Sequence, residues 1–169
     1  QKAQKLNTKT ALKHGADRVI EYTPADIDET FRRRNADILA AKKGGGFYLW
    51  KPYFLNKAYR ELQDGDYLIY TDSGAIYVND INCLIECMER EKLELMTFSL
   101  ETDKLERKYT KRDALILMDC DSPEYTDTPQ SIGGYVVMKK SPFVEKFLKK
   151  DLIIISIITI IYGIISFIN

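Results

Sequence analysis

The stretch GGGFYLWKPYFLNKAYRELQDGDYLIYTDSGAIYV, residues 44–78, holds the pattern that decides the fold. Tyr67-Leu68-Ile69-Tyr70 is a continuous apolar run behind the Asp64-Gly65 turn, as expected of a central strand covered on both faces. Asp72 stands at its C-terminal end, and Ser73-Gly74 makes the turn that follows. In open α/β sheets ligands gather beyond the carboxyl ends of the strands, so a carboxylate there can hold a hard cation or a ribose hydroxyl. Upstream, Pro52 suits the first position of a helix running to about Leu62, with Tyr53, Leu55, Ala58, Tyr59 and Leu62 as its apolar stripe. Lys51 then stands at a helix N-terminus, where the backbone dipole and an ammonium both favour phosphate. The spacing therefore suggests a site for a nucleoside diphosphate, with Trp50 either stacking on a base or sugar or serving as a wall of the core.

Outward from this stretch, Gln1 to His14 reads as a helix stopped by Gly15, with Ala3, Leu6, Thr10 and either His14 or Ala11 along one side. Val19 to Tyr22 reads as a short strand, and Asp26-Ile27-Asp28 as the cap of a helix carrying Phe31, Ile38 and Leu39. Arg32-Arg33-Arg34 fans around that helix as a solvated face, a diphosphate clamp or a contact for an anionic membrane. Gly44-Gly45-Gly46 has neither Walker nor Rossmann spacing and reads either as a tight passage from helix to loop beside the donor pocket or as a plain flexible turn. Ile76 to Val78 reads as a strand, Asn79 or Asp80 as the cap of a helix through about Glu91 with Ile81, Leu84, Ile85 and Met88 buried, and Leu95 to Leu100 as another strand. Two further acid pairs compete with Asp72. Asp64 and Asp66 lie at the wrong end of the strand, while Asp119-Cys120-Asp121 follows an apolar run that is either a strand or a helix.

The 25 basic and 25 acidic residues balance, which gives no electrostatic case for nucleic acid. Cys83, Cys87 and Cys120 lack a zinc-site spacing, and with His14 as the sole histidine they read as buried thiols in a reducing compartment.

The central run, with Ala16 to Tyr22 before it and Thr110-Lys111-Arg112-Asp113 and Gln130-Ser131-Ile132-Gly133-Gly134-Tyr135 after it, resembles a bacterial family of GT-A-type nucleotide-sugar glycosyltransferases of polysaccharide synthesis. The likeness spans roughly residues 7 to 149. It implies an α/β fold with a central, mostly parallel sheet and flanking helices over residues 1–150. It also implies a donor nucleoside-diphosphate sugar, a glycan or lipid-linked acceptor, and a divalent cation, Mn or Mg, at Asp72. On this reading Asp72, Ser73, Lys51, Trp50, Lys111 and Arg112 meet the donor, and Gln130 and Gly134 border the acceptor. Only the first acid of the family's Asp-x-Asp is present, since Gly74 takes the place of the second. That substitution, the missing first strand and the missing segment after Lys150 leave open a non-catalytic remnant or a membrane-anchored binding module.

Residues 151–169 differ in kind. Residues 152–168 are nearly all apolar and as a helix would be about 25 Å long, just short of a bilayer core. Lys139, Lys140, Lys146, Lys149 and Lys150 before them would keep the domain cytoplasmic, at the inner face of a membrane. A frame-shifted end and a β-rich hairpin are the other two readings of this tail.

Overall fold

A computed structural model describes residues 2–149 of the chain. The apolar tail 152–168 lies outside the described residues, and with it the anchor, frame-shift and hairpin readings. Among the described residues no helix is long and apolar enough to cross a membrane.

Three strands, β1 (Tyr67–Thr71), β2 (Leu95–Ser99) and β3 (Ser131–Lys139), form one sheet in the order β1-β3-β2. Both pairings are antiparallel, Tyr67 facing Lys139 and Thr71 facing Tyr135 on one side, Leu95 facing Met138 on the other. This overturns the expected GT-A-like, mostly parallel sheet. The cause lies in the segment between β2 and β3, which closes on itself at its neck. The Leu100 N–H donates to the Gln130 carbonyl (2.8 Å), the Gln130 N–H to Lys104 (2.7 Å) and the Glu106 N–H to Thr128 (3.0 Å). A segment pinned in this way returns the chain to the edge it left, so β3 must run back. Apolar runs mark strands, but they carry no direction. Residues 19–22 and 76–78, expected as strands, join no sheet among the described residues and are loop, tied to the N-terminal helix through the Tyr22 carbonyl and the Tyr77 N–H.

Helix α1 (Lys2–Lys13) ends at Gly15, whose φ of +104° suits glycine. Of the expected stripe Ala11 is buried and Thr10 accepts the Tyr77 N–H, while Ala3 is exposed and further polar atoms do the rest of the fastening. Leu6 is exposed, whereas Asn7 Nδ2 donates to Thr71 Oγ1 (3.0 Å) and to the Ala75 carbonyl (2.9 Å), and Gln4 donates to the Tyr22 carbonyl. The single helix expected around the arginines is two, α2 (Glu29–Arg34) and α3 (Ala36–Leu39), broken at Asn35. All three arginines are exposed, with Arg32 donating to the carbonyls of Pro24 and Ile27. A one-turn element, α4 (Gly44–Phe47), leads into α5 (Trp50–Arg60). After β1, α6 (Asn82–Glu91) buries Met88, with Ile81 buried at its cap. Short helices α7 (Glu106–Tyr109), α8 (Arg112–Leu117) and α9 (Pro123–Thr126) fill the excursion before β3, and α10 spans 142–149. The three thiols are free, Cys83 is exposed and the others are half-buried, so they are not the buried set expected.

The core sits between α5, α10 and one face of the sheet, where Tyr59, Met138, Val144 and Leu148 pack with Leu55, Leu68 and Phe147 around them. Successive strand residues point to opposite faces. Val137 and Met138 are both buried, so β3 is covered on each side. Tyr59 also accepts the Ser141 N–H (2.7 Å) and lies 2.9 Å from the Ser141 carbonyl, clamping the start of α10.

The entry to α2 is held by carboxylates. Phe31 N–H and then the Tyr53 hydroxyl lower the Asp28 pKa, and the Thr23 hydroxyl and N–H lower that of Asp26. A carboxylate depressed on folding contributes stability that is complete above its unfolded pKa and lost as pH falls through the folded one. Melting temperature followed from pH 6 downward should therefore begin to fall near pH ~4, and Asp28→Asn should flatten that fall. An unchanged acid limb in the variant would rule out this cap as a contributor.

Candidate functional site

Helix α5 runs above β1 in the opposite direction, and this sets the site. Leu68, Tyr70 and Asp72 share one face of the strand by alternation. Tyr59 packs against that face near Leu68, and Lys51 meets it at Tyr70 and Asp72. Eight helical residues rise about 12 Å and four strand residues about 13 Å, so the two spacings match along the interface. The buried side of α5 is wider than the expected stripe. Pro52, Phe54, Asn56, Ala58 and Tyr59 are buried, while Tyr53 and Leu55 are only half-buried. Pro52 lies in the third position of the helix rather than the first, still within the turn whose N–H groups need no intrahelical acceptor.

The three glycines do more than pass from helix to loop. Gly44, Gly45, Gly46, Phe47 and Tyr48 all have positive φ, from +51° to +93°, making one left-handed turn. Gly46 comes so close to α3 that a Cβ on it would stand 2.8 Å from Leu39 Cα. The turn folds Tyr48 back over Gly44, whose carbonyl accepts the Trp50 indole N–H at 3.0 Å. It also occupies the start of α5, because the Lys51 N–H donates to the Tyr48 carbonyl (2.9 Å). The expected contribution of helix-end backbone N–H groups to phosphate is reduced accordingly, which leaves the ammonium.

Asp72 and Lys51 meet. Lys51 Nζ lies 3.2 Å from Asp72 Oδ1 and donates to the Gly133 carbonyl at 2.9 Å. The Tyr70 hydroxyl donates to the same Asp72 oxygen at 2.5 Å. Burial first, then the Asp72 carboxylate, pushes the Tyr70 phenol far above its ordinary pKa, so it stays a donor. The ammonium sits 5.1 Å from the centre of the Tyr70 ring and 5.9 Å from those of Tyr48 and Trp50. The Lys51 side chain is 21% exposed and that of Asp72 56%, so the cation is enclosed while the carboxylate faces solvent. With one partner this exposed the pair contributes only ~0–1 kcal/mol to stability. Gly134, on the neighbouring strand, accepts the Asp72 N–H on its carbonyl (2.9 Å), and a Cβ there would stand 3.1 Å from Asp72 Oδ2.

The other expected residues are distributed as follows. Ser73 is exposed in the turn closed by the Ala75 N–H on the Asp72 carbonyl. Trp50 is a half-buried wall, between Tyr48 and Phe54. Lys111 stands at the N-cap position of α8, and Arg112 pairs with Asp121 at 2.9 Å. The run before Asp119-Cys120-Asp121 is therefore a helix, and these acids follow its C-terminus, where the dipole disfavours negative charge. Asp66 accepts the Gln63 N–H in the turn before β1. Gln130 is engaged through its backbone at the neck of the 100–130 excursion. Tyr70, Tyr48 and the Gly133 carbonyl were not among the expected residues. Tyr70 had a signal, since a residue two before Asp72 in a strand shares its face.

The donor set does not fit a divalent cation. Asp72 is one carboxylate, its Oδ1 already carries a hydroxyl and an ammonium, and among the described residues no cluster of three or more His, Cys, Asp or Glu is placed around a metal. A cleft of about 610 Å³ bordered by Glu89, Lys139 and Glu145 lies at the opposite end of β1 from Asp72. No family model, no curated protein and no solved structure matches the chain.

Proposed function

We propose that the domain binds a nucleoside-diphosphate sugar at the end of β1 and transfers its sugar to a glycan or lipid-linked acceptor. The observation that supports this is the convergence of the Asp72 carboxylate and the Lys51 ammonium, 3.2 Å apart, on the rim of the sheet. One accepts from hydroxyls and the other donates to phosphate, the two needs of a sugar nucleotide. Lys51 would neutralise the diphosphate as it leaves, so that leaving-group stabilisation and positioning carry the rate. The resemblance over residues 7–149 supports the same class through its residues.

UDP and GDP are the probes. Trp50, the sole tryptophan, borders Lys51 and reports binding by fluorescence. A nucleotide at a hundredfold excess over Kd should raise the melting temperature by roughly 5–10 °C for a chain of this size. No fluorescence change and no shift with either nucleotide would refute the reading. A second reading, a binding module without turnover, is favoured by Gly74 standing where the family pattern has its second acid; it predicts the same shift with no hydrolysis or transfer of a UDP-sugar.

A further inference from the structure

We infer that the Lys51 ammonium takes the place of a divalent cation, so that the site holds a nucleoside diphosphate without metal. This rests on the nucleotide-sugar reading above and names how its charge is met. The ammonium touches the oxygen a metal would need, 3.2 Å from Asp72 Oδ1, and is fixed by the Gly133 carbonyl at 2.9 Å. Three ring faces, Tyr70, Tyr48 and Trp50, close around it. The Lys51 side chain is 21% exposed, against 31% for Lys139 paired with Glu89 and 78% for Arg112 paired with Asp121. A divalent ion on Asp72 Oδ1 would have to displace the Tyr70 hydroxyl and stand against an ammonium of like sign. Mn²⁺ and Mg²⁺ also prefer about six oxygen ligands, and one half-occupied carboxylate supplies few of them. Lysine carries three N–H donors. Asp72 and Gly133 take two, and the third is left for a phosphate oxygen, while Asp72 Oδ2 lies beside Gly134, where no side chain obstructs a sugar hydroxyl.

The test is titration of the full chain with UDP and with GDP, once in EDTA and once in Mn²⁺, read by Trp50 fluorescence and melting temperature. The Kd is expected to agree between the two buffers within about threefold, and Lys51→Met to weaken binding at least about tenfold in both, as loss of a charge-assisted hydrogen bond does. Lys51→Arg, which keeps the charge, should restore most of that loss. Binding seen only with Mn²⁺, or a saturable shift by Mn²⁺ alone that Asp72→Asn abolishes, would overturn the inference and leave the nucleotide site standing. Absence of nucleotide binding in both buffers would overturn both. Should Lys51→Met fail to fold, the EDTA and Mn²⁺ arms on the unaltered chain still decide.

Discussion

Gly46→Ala is expected to lower unfolding stability by about 3–5 kcal/mol, with a melting point lower by roughly 10 °C or more. Two costs add. The φ of +93° is left-handed backbone that an L side chain adopts only with strain. The new methyl would also stand 2.8 Å from Leu39 Cα and 3.3 Å from the Ile38 carbonyl, both backbone atoms of α3 that cannot swing aside. Gly45→Ala is the internal comparison, because its φ is +57° and its nearest neighbour would be Trp50 Nε1 at 3.8 Å. That variant should lose about 1 kcal/mol from backbone strain alone. Urea unfolding of the pair separates the effects, and equal stability would mean that α3 does not press on Gly46. The same turn carries Tyr48 and leads into Lys51, so a Gly46→Ala protein that still folds should also bind UDP more weakly.

This turn shows where the sequence stops informing. The glycines mark an unusual backbone, but five consecutive left-handed residues, two of them Phe47 and Tyr48, follow from packing against Leu39 that no local pattern encodes. By contrast, the place of Asp72 was legible, because an apolar run bounded by a turn fixes where a strand ends, and β1 does end at Thr71. Nearness of Lys51 to Asp72 was legible too, since a helix tied closely to the strand that follows it folds back along it. What could not be read was the direction of β3. Its neighbours were decided by contacts about thirty residues apart, Leu100 to Gln130, among groups that every residue carries. Helix α1 was legible in part: Thr10 and Ala11 of its expected side do face the protein, whereas Ala3 and Leu6 are exposed and Gln4 and Asn7 dock against loop atoms in their place.

Asp72→Asn should leave the fold intact and weaken nucleotide binding by about 10–100-fold, with sugar transfer lost. The amide has the shape of the carboxylate and keeps an oxygen for the Tyr70 hydroxyl, and Lys51 keeps the Gly133 carbonyl. Stability should therefore change by less than about 1 kcal/mol, as for other half-exposed pairs. Affinity should change more, because a neutral amide oxygen is a weaker acceptor for ligand hydroxyls than a charged carboxylate. Its NH₂ would replace the charged acceptor Oδ2 in the space beside Gly134. Asp121→Asn is the matching control at the literal Asp-x-Asp, where the acid already engages Arg112 behind the end of α8. It should leave UDP affinity within about twofold, since no ligand-facing charge is removed. The opposite outcome, binding intact in Asp72→Asn and lost in Asp121→Asn, would move the site to the far side of α8 and leave the Lys51 ammonium a structural tie between α5 and the sheet.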